Sequence, residues 1–274
     1  MGFVNTFAQK LPIIQKTSLR LTNVKIDGHS SELNGQFQAY NKATEIFYSV
    51  GNDKENLYLI IHAAESRIIE KILEGGISFT INPKRNNQAE VLFPLLTLPD
   101  GWKILRDAGK TLSEAPSVTP SIVPGKDSIM AAATRLSIPA ANKRLATALK
   151  EIKIAGMKEI TDTIPDISDI TSYYRNLPLR KHDYKWIAIY NNYGIMANVQ
   201  FDDNAELTYE LASPIKYLQL GDTDKIKYNI KIHGRGEDGR PGNTVAYSPP
   251  PNQTIINQDL ENSTDFDGEY ILAK

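Results

Sequence analysis

Few residues of this chain stand at spacings that could support catalysis. Residues 234–239 (GRGEDG) match the G-x-G-x-x-G pattern of a dinucleotide-binding loop, but Arg240-Pro241 follow where a helix must begin to hold the pyrophosphate. Ser213-Pro214-Ile215-Lys216 match S-x-x-K, the nucleophile pair of penicillin-recognising enzymes, yet the sequence has no K-T-G or S-D-N partner motif. We therefore expect a protein that is not an enzyme.

Soft metal ligands are scarce. The chain has no cysteine, and its four histidines are scattered without H-x-H or H-E-x-x-H spacing: His29, His62, His182 and His233. His62 falls within a predicted strand and is interpreted as a packed or hydrogen-bonded residue. A methionine could pair with a histidine on haem, although methionines at such positions usually fill the core; the candidates are Met130, Met157 and Met196.

Two acidic loop clusters offer the hard oxygen ligands that calcium prefers. The first cluster contains Asp202 and Asp203, and the second contains Asp222 and Asp224. Neither follows the EF-hand pattern, and ordinary turn chemistry explains both equally well. Calcium is therefore a candidate cofactor with these four residues as weak candidate ligands.

Aromatic side chains are the other resource for binding. A flat aromatic ring packs well on the C–H face of a sugar. The candidates are Trp102, Trp186, Tyr190 and Tyr193. Trp102 stands beside Asp100-Gly101 in a predicted loop and Tyr193 in a predicted tight turn, so we expect both to be exposed. Core packing is the alternative for Trp186.

The elements that must position these residues are mainly β-strands. Apolar residues alternate with period two over 19–26, 46–50, 57–63, 77–81, 186–190, 195–201, 207–211 and 228–232. Polar turns separate consecutive strands, as at 51–56 and 202–204. Short, closely spaced strands of this kind predict an antiparallel β-sandwich of the immunoglobulin-like or jelly-roll type.

Helical periodicity interrupts this pattern. Ile68, Ile69, Ile72 and Leu73 share one face of a predicted helix over 66–74, which Gly75-Gly76 end. A proline-rich stretch over 113–125 precedes predicted helices over 127–136 and 140–150. We predict one domain over residues 18–274 with a helical and loop insertion at about 113–150, and a separate N-terminal segment over 1–17.

Composition excludes further classes of function. Lys and Arg number 31 against 32 Asp and Glu, a net charge of −1, so no field attracts nucleic acid and we expect no nucleic-acid partner. No apolar run reaches the ~20 residues of a membrane-spanning helix, so we predict no transmembrane segment. With 41% hydrophobic residues the chain can bury a large core without disulfides.

Several motifs together resemble a known family. They are Lys25-Ile26-Asp27-Gly28, then residues 48–59 (Y-S-x-x-N-D-x-x-N-L-Y-L), and then 189–195, 209–215 and 264–270. The set resembles family-nine carbohydrate-binding modules and their DOMON-like relatives, and is similar to exported proteins of Bacteroides-type bacteria built on that module. The resemblance implies an immunoglobulin-like β-sandwich that binds sugars, in some members with calcium, or haem in DOMON members. Residues 35–37 are Gly, Gln and Phe where sugar-binding members usually carry an acidic residue and Trp.

Export is a further expectation. Phe7-Ala8-Gln9 before Lys10 is similar to the end of signal peptides in exported proteins of that group, and an ordinary frayed terminus is the alternative. We expect a non-catalytic carbohydrate-binding module in the periplasm or on the cell surface. The alternatives are a structural or assembly subunit that binds an envelope protein, and a haem-binding DOMON-like protein.

Overall fold

Two antiparallel β-sheets packed face to face form this protein. The computed structural model describes residues 11–83, 88–96, 98–109, 138–161, 163, 184–220, 224–234 and 260–274. All neighbouring strands in both sheets are antiparallel. The prediction of a mainly β, antiparallel sandwich is therefore confirmed.

The first sheet, sheet A, has five strands in the order β1-β2-β3-β9-β8. Their bounds are β1 Ala39–Asn41, β2 Ile46–Asn52, β3 Asn56–Ala63, β8 Met196–Phe201 and β9 Leu207–Pro214. The hairpins β2–β3 and β8–β9 follow the alternation in the sequence. β3 and β9 pair in the middle of the sheet although they lie far apart in the chain.

The second sheet, sheet B, has six strands in the order β11-β10-β4-β5-β6-β7. Their bounds are β4 Ile77–Ile81, β5 Ala89–Phe93, β6 Glu151–Ala155, β7 Lys185–Ala188, β10 Lys225–Ile232 and β11 Thr264–Ile271. β7 is therefore an edge strand, and it carries Trp186.

The core lies between the sheets and is built by strict alternation. In β4, Ile77, Phe79 and Ile81 are buried in the core, whereas Ser78 and Thr80 lie on the opposite face of sheet B. The same alternation holds in β3 and β9 of sheet A. The faces that point away from the core carry polar and aromatic side chains, and they are called the outer faces below.

The described ranges contain three α-helices. Helix α1 Ser66–Gly75 connects β3 of sheet A to β4 of sheet B, whereas α2 Leu98–Asp107 and α3 Ile138–Ala148 both lie between β5 and β6 of sheet B. The helix predicted over 66–74 is confirmed as α1, and Gly76 ends it at φ +81° with its N–H donating to the Ile72 carbonyl. The predicted helix over 140–150 corresponds to α3, while the one over 127–136 lies outside the described residues. None of the helices in the described ranges has the length and apolarity needed to cross a membrane.

The N-terminal part of the described chain covers the outer face of sheet A. Leu21 and Leu33 are buried against Tyr58 and Ile60 of β3, with Val24 and Ile26 packed beside them. We predicted a strand over 19–26, but the structure forms one isolated bridge there, between Arg20 and Asn52. Leu19 and Leu21 flank this bridge with two backbone hydrogen bonds to Asn52, whereas Val24 and Ile26 only pack one face of the segment on sheet A, which gives the same period-two pattern.

Asn52 ties sheet A to the C-terminal end of the chain. It is buried, its Oδ1 accepts from the Tyr270 hydroxyl and the Ala273 N–H at 2.7 Å each, and its Nδ2 donates to the Ala273 carbonyl at 3.1 Å. Asn52 belongs to one motif of the family resemblance and Tyr270 to another. The two motifs thus meet in a shared contact that holds the fold.

Candidate functional site

A rigid loop presents one aromatic ring to solvent. The loop spans residues 189–195 between β7 and β8, and Asn191 closes it from inside. The Asn191 Nδ2 donates to the carbonyls of Ala188 at 3.0 Å and Ile195 at 2.7 Å, and its Oδ1 accepts from the Tyr193 N–H at 3.0 Å. One side chain therefore fixes both ends and the middle of the loop.

The two candidate tyrosines of this loop differ in exposure. The side chain of Tyr190 is 95% exposed. Tyr193 is half-buried and meets Tyr217 edge to face, with ring centroids 6.1 Å apart at 81°. Tyr193 therefore anchors the loop on the core, contrary to the exposure predicted for it, and Tyr190 is the ring available to a ligand.

Trp186 lies just before this loop, on the outer face of sheet B. Its neighbour Ile187 is buried in the core, so the alternation of β7 directs the tryptophan outward, where it is half-buried. Lys153 of β6 is its cross-strand partner, and the Lys153 Nζ lies 5.5 Å from the Trp186 ring and 4.3 Å from the Tyr184 ring. An ammonium group and two aromatic rings thus share one surface.

A buried polar cluster that sequence reasoning missed adjoins this surface. The Ser78 hydroxyl donates to Glu90 Oε1 at 2.6 Å, and the Tyr184 hydroxyl donates to the same oxygen at 3.0 Å. The His233 Nε2 lies 2.6 Å from the Ser78 Oγ. The hydroxyl proton is already donated to Glu90, so the histidine nitrogen must be the donor in that contact, a tautomer assigned from the hydrogen-bond pattern. This arrangement does not activate Ser78 as a nucleophile.

The outward position of Ser78 was readable from the alternation in β4. The hydrogen bond of Ser78 with His233 could not be predicted in this way, because His233 follows β10 and is more than 150 residues away in the chain.

The predicted acidic clusters have turn and surface roles in the structure. Asp202 Oδ1 accepts from the N–H groups of Asn204 and Glu206 at 2.9 Å each, which closes the β8–β9 turn. Asp203 is exposed, Asp224 pairs with the Lys274 Nζ at 3.3 Å, and Asp222 lies outside the described residues. Within the described ranges, no three His, Asp or Glu side chains form a group that could hold a metal ion.

Trp102 lies in α2, so the prediction that it stands in a loop is wrong. Pro99 and Asp100 occupy the first turn of this helix, where a proline and an acidic residue are both favourable. The side chain of Trp102 lies outside what the structure describes.

Of the histidines, His62 is confirmed as a hydrogen-bonded residue. Its Nε2 lies 2.9 Å from the Glu206 Oε2, and its ring stacks on Phe37 at 5.7 Å. Of the methionines weighed for haem, Met157 is buried, Met196 is 43% exposed and Met130 lies outside the described residues.

Comparisons with protein-family models, with curated proteins and with solved structures find no match to this chain.

Proposed function

We propose that this protein is a non-catalytic carbohydrate-binding module of the cell envelope. The observation that carries the proposal is Tyr190, whose ring is 95% exposed on a loop that Asn191 already holds in place. An exposed aromatic ring contributes nothing to the core, whereas burying it on a ligand is favourable by about 1.5–3 kcal/mol. Because the loop is already ordered, a ligand would not have to restrict it on binding.

The neighbouring groups favour a sugar over other ligands. Sugar rings present C–H faces to aromatic rings and hydroxyl groups to hydrogen-bonding side chains. Trp186 offers a second flat surface, and Lys153 a donor beside it. The overall charge of −1 suits an uncharged ligand and disfavours a polyphosphate. Export to the periplasm or cell surface is part of this proposal.

The test is a titration with a panel of soluble oligosaccharides, followed by tryptophan fluorescence and calorimetry. We expect at least one glycan to bind wild-type protein, and Tyr190→Ala to weaken that binding about 10-fold, the loss of roughly 1.4 kcal/mol of stacking. Tyr190→Phe is the matched control, because it keeps the ring and should retain most of the affinity. A flat response over the whole panel, or equal affinity in Tyr190→Ala, would contradict the proposal.

An assembly subunit of an envelope complex is the second candidate, and a groove between α2 and α3 favours it. The groove has a volume of about 790 Å³, and its charged lining is four basic side chains, Lys103, Lys143, Arg144 and Lys150, against two acidic ones, Asp100 and Glu151, so positive charge is in excess. An acidic segment of a partner protein would complement this charge. We expect the double variant Lys143→Glu/Lys150→Glu to lose partners that wild type retains in pull-downs from native membranes. Identical partners for both proteins would argue against this function.

A further inference from the structure

One side chain of α3 closes the edge of sheet A at β8. The Asn142 Nδ2 donates to the Phe201 carbonyl at 2.9 Å, and the Phe201 N–H donates to the Asn142 Oδ1 at 2.8 Å. A side-chain amide that donates and accepts in this way reproduces the pair of hydrogen bonds by which a neighbouring strand would bind Phe201. Helix α3 therefore lies where a further strand of sheet A would begin.

A second side chain blocks the next position along this edge. Backbone groups that point to one side of a strand recur at every second residue, so those of Val199 point outward as those of Phe201 do. The Val199 N–H donates to the Asn198 Oδ1 at 2.8 Å, within the same strand. Side-chain amides thus occupy the outward N–H groups of both Phe201 and Val199.

The sequence of β8 lacks the features by which an edge strand usually avoids pairing with another chain. Charged side chains, prolines and covering segments protect most edges. The strand β8 (MANVQF) has no charge, proline or glycine. The other edge strands differ, because β11 carries three acidic side chains, β7 carries Lys185, and β1 donates its Tyr40 N–H to the Pro12 carbonyl at 3.0 Å. Protection of β8 therefore depends on Asn142 and Asn198.

We propose that the β8 edge is a strand-addition site that Asn142 and Asn198 keep closed, and that its occupant, when α3 withdraws, is β8 of a second copy of this chain. Two β8 strands related by a two-fold axis are antiparallel, and no like charges oppose their pairing. The core-facing side chains of the two strands would meet on the core side of the joined sheet. The site shares no residue with the loop at Tyr190, so it is independent of sugar binding.

The test is the oligomeric state of wild type and Asn142→Ala, measured by sedimentation velocity over a series of protein concentrations. We expect the dissociation constant of the dimer to be at least about 10-fold lower for Asn142→Ala than for wild type. Adding Met196→Lys to Asn142→Ala should restore the wild-type state. Met196 is 43% exposed, so a lysine is tolerated there and places two like charges in the paired edge.

Asn229→Ala is the matched control. It also removes hydrogen bonds of an asparagine side chain, to Asp265 and Asp267, but it lies in β10 and leaves the β8 edge closed. It should keep the oligomeric state of wild type.

Circular dichroism shows whether Asn142→Ala folds. If it does not, Asn198→Ala takes its place, because this variant uncovers the Val199 N–H and leaves both hydrogen bonds of Asn142 intact. The proposal is overturned if the folded variant associates no more tightly than wild type, or if Met196→Lys does not reverse its association. It is also overturned if Asn229→Ala associates as tightly, because destabilisation alone then explains the effect.

Discussion

Replacing Asn52 by alanine should destabilise the fold far more than a typical polar substitution. The side chain is 2% exposed, and its amide accepts from the Tyr270 hydroxyl and the Ala273 N–H and donates to the carbonyls of Asp53 and Ala273. A hydrogen bond contributes a net ~1 kcal/mol, and a buried donor left without a partner costs about 1–3 kcal/mol. The Tyr270 hydroxyl has one proton and can donate it to the Leu19 carbonyl at 2.9 Å when Asn52 is replaced, so the principal orphaned donor is the Ala273 N–H.

These contributions together give a loss of about 3 kcal/mol in the free energy of unfolding, or roughly 5 °C in Tm for a chain of this length. Urea and thermal unfolding followed by circular dichroism measure both quantities. Asn56→Ala is the matched control, because Asn56 is half-buried and the hydrogen bond from its side chain to the Tyr58 hydroxyl is long, at 3.4 Å, so the variant should cost under about 1 kcal/mol. Equal losses in the two variants would refute the reasoning.

A double-mutant cycle refines the assignment. If Asn52 acts through Tyr270, the variants Asn52→Ala and Tyr270→Phe should couple by about 1 kcal/mol. Strict additivity would show that the two residues stabilise the fold independently, despite their 2.7 Å contact.

Three further substitutions test the roles of Gly28, Asp53 and Asn191. Gly28→Ala should lower the free energy of unfolding by about 2 kcal/mol or more, because both the left-handed backbone and the contact with Gln200 oppose a Cβ. Gly35→Ala is the control: Gly35 has φ +73° but open space around it, so this variant should lose about 1 kcal/mol in thermal unfolding. Partial burial raises the pKa of Asp53, but the hydrogen bonds that its carboxylate accepts have the larger combined effect and hold the pKa below its ordinary value. The ionised carboxylate therefore stabilises the fold at pH values above the ordinary pKa of an aspartate. This stabilisation is lost as the pH falls through the lowered pKa. The stability difference between wild type and Asp53→Asn should therefore be clear at about pH 7 and shrink towards about pH 3; a difference independent of pH would exclude this linkage. Asn191→Ala removes three hydrogen bonds of the loop, so it should lower the free energy of unfolding by about 1–2 kcal/mol and weaken glycan binding about 10-fold. Unchanged glycan affinity would show that binding does not depend on these hydrogen bonds.

The strands of the sandwich were predictable because their side chains alternate between core and surface. The strand β4 can be predicted from the sequence alone, by the alternation of Ile77, Phe79 and Ile81. The extended segment over 19–26 carries the same pattern, but among the described residues its backbone pairs with sheet A only at Leu19 and Leu21, which bond to Asn52, while Val24 and Ile26 pack on the outer face. Alternation in the sequence predicts which side chains are buried, but it does not show whether the backbone forms hydrogen bonds with a neighbouring strand.

The candidate site was only partly predictable. In the sequence, Tyr190 and Tyr193 are equivalent residues of one turn. The contact of Tyr193 with Tyr217 shows that Tyr193 anchors the loop, which leaves Tyr190 as the exposed ring. The hydrogen bond between Tyr184 and Glu90 beside this site joins residues that lie 94 positions apart in the chain. Such long-range pairings leave no local pattern in the sequence.

Sugar binding at Tyr190 is tested by the dissociation constant for an oligosaccharide, measured in parallel for wild type and Tyr190→Ala. We expect saturable binding to wild type and about 10-fold weaker binding to Tyr190→Ala, with the Tm unchanged because the ring is exposed. No saturable binding to any glycan, or the same constant for both proteins, would contradict it.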